Sequence, residues 1–200
     1  MPASLILRVA KQKFKMVLQK VFWIHLTDNR IIRSISDFKT VRPQAKCKLM
    51  PITEDNCHRV GDFREKSRIP QYRDKLVHGE IGYFAEHNGR IIGSHWATVN
   101  KTGAQKVVRT YMKLLPNEGL LHDLVIDEKC RGMGVGPFMV SELTTILFRE
   151  HGVSRIIWDI SIRNGKSLRM IEKLGVPVDH RMLALTVFRR LVFHLVFRKQ

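Results

Sequence analysis

The residues best suited to chemistry lie between Gly119 and Gly136, in the run Gly-Leu-Leu-His-Asp-Leu-Val-Ile-Asp-Glu-Lys-Cys-Arg-Gly-Met-Gly-Val-Gly. Gly132, Gly134 and Gly136 fall at every second position, just after the cations Lys129 and Arg131. From Val135 the apolar residues recur four apart (Val135, Met139, Leu143, Leu147), as one face of a helix requires. Pro137 falls in the first turn of that helix, where a missing N–H costs little. A helix start carries unpaired N–H groups and roughly half a unit of positive charge. Glycine there lets an anion approach the backbone, and the two side-chain cations strengthen the field. The stretch predicts an anion cradle suited to a pyrophosphate. Two other phosphate loops do not fit it. These glycines lack the Gly-Lys-Ser/Thr ending of a P-loop, and the third slot of Gly-x-Gly-x-x-Gly is filled by Pro137.

The element leading into the cradle reads as a buried strand, because Leu120, Leu121, Leu124, Val125 and Ile126 form a short apolar run. His122 and Asp123 sit side by side within it. Adjacent strand residues point to opposite faces, so the two are expected to part. Histidine titrates near neutral pH and is a candidate base.

The pattern Arg-x-x-Gly-x-Gly, here Arg131-Gly132-Met133-Gly134-Val135-Gly136, resembles the acyl-CoA pyrophosphate loop of the GNAT N-acetyltransferase superfamily. About thirty residues on, Asn164-Gly165-Lys166-Ser167-Leu168-Arg169-Met170-Ile171-Glu172-Lys173-Leu174-Gly175 resembles that superfamily's second helix motif. The gap leaves room for a helix and a strand. The resemblance covers roughly residues 45 to 188 and implies an acyl-CoA-dependent N-acyltransferase. The reaction would pass an acyl group, with acetyl the expected one, from acyl-CoA to an amine in a ternary complex. Acyl-CoA is then the co-substrate, and no metal is expected.

The resemblance also assigns roles. The fourth and fifth strands would splay around the thioester, with the backbone of Leu124, Val125 and Ile126 against the pantetheine and carbonyl. Arg131, Gly132, Met133, Gly134, Val135 and Gly136 would hold the pyrophosphate, with Asn164 and Ser167 close to the cofactor. Counting back from Ile126, His122 stands where several relatives carry a glutamate base, and Asp123 is the alternative. One departure is large: Ile171 replaces a tyrosine that protonates the leaving thiolate in many relatives. Val176 replaces a common phenylalanine.

Composition sets the outer limits. Two hundred residues with 44% hydrophobic content can bury one sizeable core. The formal charge of +17 favours an anionic partner: a nucleotide cofactor, nucleic acid or an anionic membrane surface. No DNA- or RNA-reading motif accompanies that charge, which makes nucleic acid the weakest of the three. Cys47, Cys57 and Cys130 have neither zinc-site nor disulfide-framework spacing, so a reducing cytosol is the simplest compartment. No apolar run is long enough to span a bilayer.

Residues 4 to 26 read as a basic amphipathic helix, with Ile6, Ala10, Phe14, Val17, Val21 and Ile24 on one stripe. Such a helix either lies on an inner membrane face or packs on the domain or a second copy, as in a homodimer. This divides the chain into a helix and connection over residues 1–44 and a GNAT-like domain over 45–200. Within the domain, Lys46 to Ile52 predicts a strand, Thr53-Glu54-Asp55 a helix start, and Gln71 to Val77 a short helix. Asn88-Gly89 predicts a hairpin turn between Ile81–Ala85 and Arg90–Asn100. Val153 to Ile162 predicts a fifth strand, Asn164 or Gly165 a helix start, and Gly175 its end. Leu191 to Phe197 is an apolar run with basic flanks, either a last strand or an interfacial segment. The expected class is α+β, with a mixed central sheet flanked by helices and an extra N-terminal basic helix. The competing function is a basic membrane-surface or nucleic-acid binding module on a degenerate, CoA-binding version of the same fold.

Overall fold

A computed structural model describes residues 22–44, 46–188 and 190–198. In chain order the elements are β1 (Phe22–Ile32), β2 (Lys48–Pro51), α1 (Ile69–Val77), β3 (Ile81–His87), β4 (Arg90–Val99), β5 (Lys106–Arg109), β6 (Met112–Leu114) and β7 (Glu118–Ile126), followed by α2 (Val135–Glu150), β8 (Arg155–Ser161), α3 (Gly165–Lys173), β9 (His180–Val187) and β10 (Arg190–Arg198). Eight strands form one sheet in the order β10-β9-β1-β8-β7-β4-β3-β2, and β5 and β6 pair as a separate hairpin. Among the described residues of the large sheet, only β7 and β8 run parallel. This is the expected α+β class, a mostly antiparallel sheet flanked by helices.

Strand β4 shows how the layers form, with a bulge against β3 between Ile91 and Gly93 that lets residues five apart share a face. Ile91 and Trp96 pack with Tyr72 of α1 on one face. Their neighbours Ile92 and Ala97 turn to the other face, where α2 lies. Covered on both sides, β4 is buried from Ile91 to Val99. Helices α2 and α3 close the larger core over Ile32, Leu121, Ile156, Trp158 and Ile160. The β5–β6 hairpin covers Leu120 and Ile157 on the opposite face. At the β3–β4 turn Asn88 and Gly89 both adopt positive φ, 51° and 78°, the two-residue geometry that this dipeptide favours. Gly175, with φ of 78°, follows α3 as expected.

The N-terminal reading needs correction. Phe22 to Leu26 do not continue a helix; they open β1, an eleven-residue strand lying between β8 and β9. The rest of the expected helix, residues 4 to 21, lies outside the described residues. The boundary drawn at residue 44/45 therefore falls within a single sheet. Thr27, Asp28, Asn29 and Arg30 make the middle of β1 polar, yet each is at most 4% exposed. Burial is possible because partners are supplied from far along the chain. Arg181 Nε donates to Asp28 Oδ1 at 2.7 Å, and Arg30 Nη1 donates to the Val176 carbonyl at 2.5 Å.

Two smaller corrections follow. Thr53-Glu54-Asp55 starts no α-helix; it forms a turn leading to a 3₁₀ helix over Cys57–Asp62. The segment between Lys101 and Pro116 is the β5–β6 hairpin. Leu191 to Phe197 is a strand at the sheet edge, exposed along its length.

Ile32 is fully buried at the end of β1. Ile32→Ala is expected to lower stability by about 2–5 kcal/mol. Urea unfolding read by tryptophan fluorescence measures this, and an unchanged midpoint would contradict a core position for β1.

Candidate active site

The site is organised by an irregularity in β7. Ser94 pairs with Val125 and Trp96 with His122, so His95 alone faces both Asp123 and Leu124. This is a β-bulge, with Asp123 held at φ of 49°. Parallel pairing with β8 stops at Leu121 and Trp158, although both strands run on. Beyond that point β8 pairs on its other side with β1. A wedge therefore opens between β7 and β8.

Backbone direction in the wedge follows from one bond. Asp127 N–H donates to the Ile92 carbonyl at 2.8 Å, so Asp127 faces β4. By alternation Val125 also faces β4, while the N–H groups of Leu124 and Ile126 point away, into the wedge. The resemblance set the backbone of Leu124, Val125 and Ile126 against the cofactor; of the three amides, those of Leu124 and Ile126 point into the wedge. Val125 turns its amide the other way.

The bulge overturns one expectation. His122 and Asp123 do not part; both side chains join one cluster on the α1 side of the sheet, because an αL residue breaks the alternation. Lys75 Nζ of α1 donates to Asp123 Oδ2 at 2.7 Å and lies 3.8 Å from Glu80 Oε2. His122 Nε2 is 3.0 Å from Thr98 Oγ1 and 3.5 Å from Glu80 Oε2. The Lys75 ammonium also sits 4.9 Å above the Trp96 ring.

Electrostatics separates the three titratable groups. Burial pushes His122 down to about 3, helped by the charges of Lys75 and His95. The ring is neutral at physiological pH and a weak proton acceptor. Burial would raise Asp123, but the hydrogen bond and charge of Lys75 outweigh it and hold the carboxyl below its ordinary range. Glu80 moves the other way: burial raises it, against the pull of Lys75. Of the three, Glu80 alone has its proton affinity raised, which makes it the candidate proton acceptor. It also lines a cavity of about 320 Å³ with Asp74, His78, Thr98 and Lys106. Sequence alone assigns no role to Glu80. Its contacts with His122 and Lys75 are long-range, and no local spacing announces them.

On the other side of the wedge lies the glycine loop. Gly132 and Gly134 have φ of 83° and 77°, with Gly134 capping α2. Among the described residues, the N–H groups of Gly132, Met133 and Gly134 find no acceptor. They join the free first-turn N–H groups of α2. A Cβ on Gly136 would come within 3.0 Å of Met170 Sδ in α3, so the start of α2 abuts α3 closely. The loop is open and rich in donors, which fits a pyrophosphate. Arg131 is half exposed and its Nη1 donates to Glu128 Oε1 at 2.6 Å.

Asn164 accepts from the Ser167 N–H at 3.2 Å and caps α3. Both therefore stand at the start of a helix that follows β8, flanking the wedge. Ile171 is fully buried against Leu174 and Val176, so no proton donor is possible there.

The acetyltransferase (GNAT) family model matches residues 49–176, more than half of the chain. The chain belongs to the GNAT acetyltransferase family. No curated protein matches the GNAT sequence described here. Among solved structures, a Drosophila malonogaster protein shares 14% identity at a TM-score of 0.56, over 90% of this chain and 57% of its own. A GCN5-related glucosamine N-acetyltransferase region of a fungal multi-domain β-N-acetylglucosaminidase has a TM-score of 0.58 at 15% identity, over 84% of this chain and 22% of its own. A GCN5-related N-acetyltransferase from Kribbella flavida has a TM-score of 0.55 at 10% identity, covering 94% and 64%. At such identities the likeness is one of fold. This GNAT chain spans less than two thirds of each of these three proteins.

His95 gives the site a measurable acid response. It is fully buried, and burial lowers it to about 4 from an ordinary 6.5, outweighing a raising contact with the Met139 backbone. Below pH 6.5 the unfolded chain takes up a proton that the folded ring refuses. Stability should therefore fall as pH drops from about 6.5 toward 4. His95→Leu should show a shallower fall over that window in urea-unfolding midpoints. A slope equal to the parent's would remove His95 as a source.

Proposed function

We propose that this chain transfers an acyl group from acyl-CoA, acetyl being the expected donor, to an amine in a ternary complex. The observation that carries the reading is the wedge itself. Its glycine loop offers N–H donors on one side, while a carboxylate of raised pKa waits on the other. The Leu124 and Ile126 amides between them suit a carbonyl oxygen that gains negative charge. Acyl-CoA would supply the thioester, whose thiolate is a competent leaving group without a tyrosine at position 171.

The roles of His122 and Asp123 shift within this reading. Glu80 takes the ammonium proton of the acceptor, which enters through the cavity lined by Asp74 and Glu80. His122 stays neutral and holds Glu80 in place, with Thr98 fixing the ring. Asp123 anchors Lys75 and keeps the bulge. Two carboxylates in the lining, against the one cation Lys106, suit a cationic amine, and the modest volume suits a small acceptor or the end of a larger one.

A mass-spectrometric screen of amine acceptors with acetyl-CoA tests the activity. Glu80→Gln should lower kcat by about 10²-fold or more and remove the acid limb of its pH profile. Its affinity for acetyl-CoA in isothermal titration should match the parent's. Turnover unchanged in Glu80→Gln would dismiss this base, and a parent that binds no acetyl-CoA would dismiss the acyl-transfer reading.

A second reading, compatible with the first, is peripheral contact with an anionic membrane from the cytosolic side. Phe193 and Phe197 are about half exposed on β10, and arginines flank them. The double variant Phe193→Ser/Phe197→Ser should reduce flotation with anionic liposomes while leaving neutral-liposome recovery at its low level. Equal flotation of parent and variant would reject β10 as the contact.

A further inference from the structure

A cavity of about 570 Å³ opens on the sheet face opposite α2 and α3. The β5–β6 hairpin separates it from the site above: β5 residues line the smaller cavity beside Glu80, and β6 residues line this one. No residue of the glycine loop, the bulge or the start of α3 contributes to it. Its volume lies within the range of about 300–1,000 Å³ that small-molecule sites occupy.

The lining divides cleanly by chemistry. Ile31, Ile157 and Met182 give an apolar floor. Arg33, Lys113, Arg155 and Arg198 surround it, against the single carboxylate of Asp179. Arg33 Nη2 lies 3.2 Å from Asp179 Oδ1, and Arg155 Nη2 lies 2.5 Å from Glu118 Oε1. Lys113 and Arg198 have no ion-pair partner among the described residues.

A second, independent observation points to a ligand. Asn29 is 1% exposed and lines the cavity, yet its Oδ1 accepts no hydrogen bond among the described residues. Its Nδ2 is engaged with Thr27 Oγ1 at 3.2 Å, which leaves the carbonyl side free. Arg155 Nε is likewise buried without an acceptor. Buried polar atoms are almost always paired, so these two mark places where a guest supplies what the chain does not.

We propose that this cavity is a second binding site, specific for a small amphipathic anion. A carboxylate or phosphate pairs with Lys113 and Arg198 and accepts from Arg155 Nε. An apolar body lies on Ile157 and Met182. A hydroxyl or amide N–H on the ligand donates to Asn29 Oδ1. Nothing in this assignment depends on acyl transfer.

The test is isothermal titration of the full chain, with CoA present in excess to fill the other site. The probes are 6-hydroxyhexanoate and 6-hydroxyhexyl phosphate, with 1,6-hexanediol as the uncharged control. At least one anion should bind, its affinity dropping about tenfold between low and high salt, and the diol should not. The relative affinity of the two anions identifies the preferred head group. Lys113→Ala/Arg198→Ala should weaken the anion at least tenfold. Asn29→Leu should abolish the preference for 6-hydroxyhexanoate over hexanoate. The double variant should keep the parent's melting temperature, since Lys113 and Arg198 are exposed. For Asn29→Leu, which is buried, a lowered melting temperature leaves the exposed double variant as the deciding measurement. No binding of either anion at millimolar concentration, equal binding of the diol, or an unaffected double variant would overturn the proposal.

Discussion

The pairing of Lys75 with Asp123 is the contact on which the active-site geometry rests. A non-glycine residue in the αL region costs on the order of 1–3 kcal/mol and persists only where its surroundings over-determine it. Here the side chain that follows from that backbone geometry meets an ammonium at 2.7 Å, itself held over the Trp96 ring. The bulge then does three things together. It shifts the register against β4, it turns His122 toward Glu80, and it accompanies the end of pairing with β8. A regular strand would give none of these: His122 and Asp123 would part, and the ladder would run on.

Close packing behind the wedge keeps it from relaxing. A Cβ on Gly93 would approach the Val125 carbonyl to 2.9 Å and Ile126 Cδ1 to 2.7 Å. That position thus requires glycine for space, with β4 and β7 drawn tightly together beside the bulge. Gly136 plays the same part between α2 and α3. At Gly93 the close neighbours are the Val125 carbonyl and the Ile126 side chain, and at Gly136 the Met170 side chain.

Much of this was legible in the sequence, and the rest was not for identifiable reasons. Glycine spacing, Pro137 and the four-residue apolar period announced the loop and α2, because those signals are local. Asn88-Gly89 announced its hairpin by the same logic. The middle of β1 gave the opposite signal. Thr27 to Arg30 is a polar run that reads as surface, and only Arg181 and Val176, far along the chain, make its burial tolerable. The trend of Val21 and Ile24 then fitted a helix by default. Register across the bulge was equally out of reach, since a period-two rule has no term for one extra residue. Glu80 was missed because its importance is relational, set by Lys75 and His122 from two other elements.

The placement of β1 also determines the order in which this fold can be completed. Thr27 pairs with Ser161, and Phe22 with Val187. The earliest described strand thus waits for the latest ones before either of its edges is covered. As the chain leaves the ribosome, β2 through β7 can collapse with α1 around Trp96. During that interval β1 has no neighbours and its polar middle stays wet. The sheet closes when β8 and β9 arrive on either side, a step dominated by distant contacts and hence slow. Until then the nascent chain carries an open strand edge, and that interval is where a chaperone would earn its place.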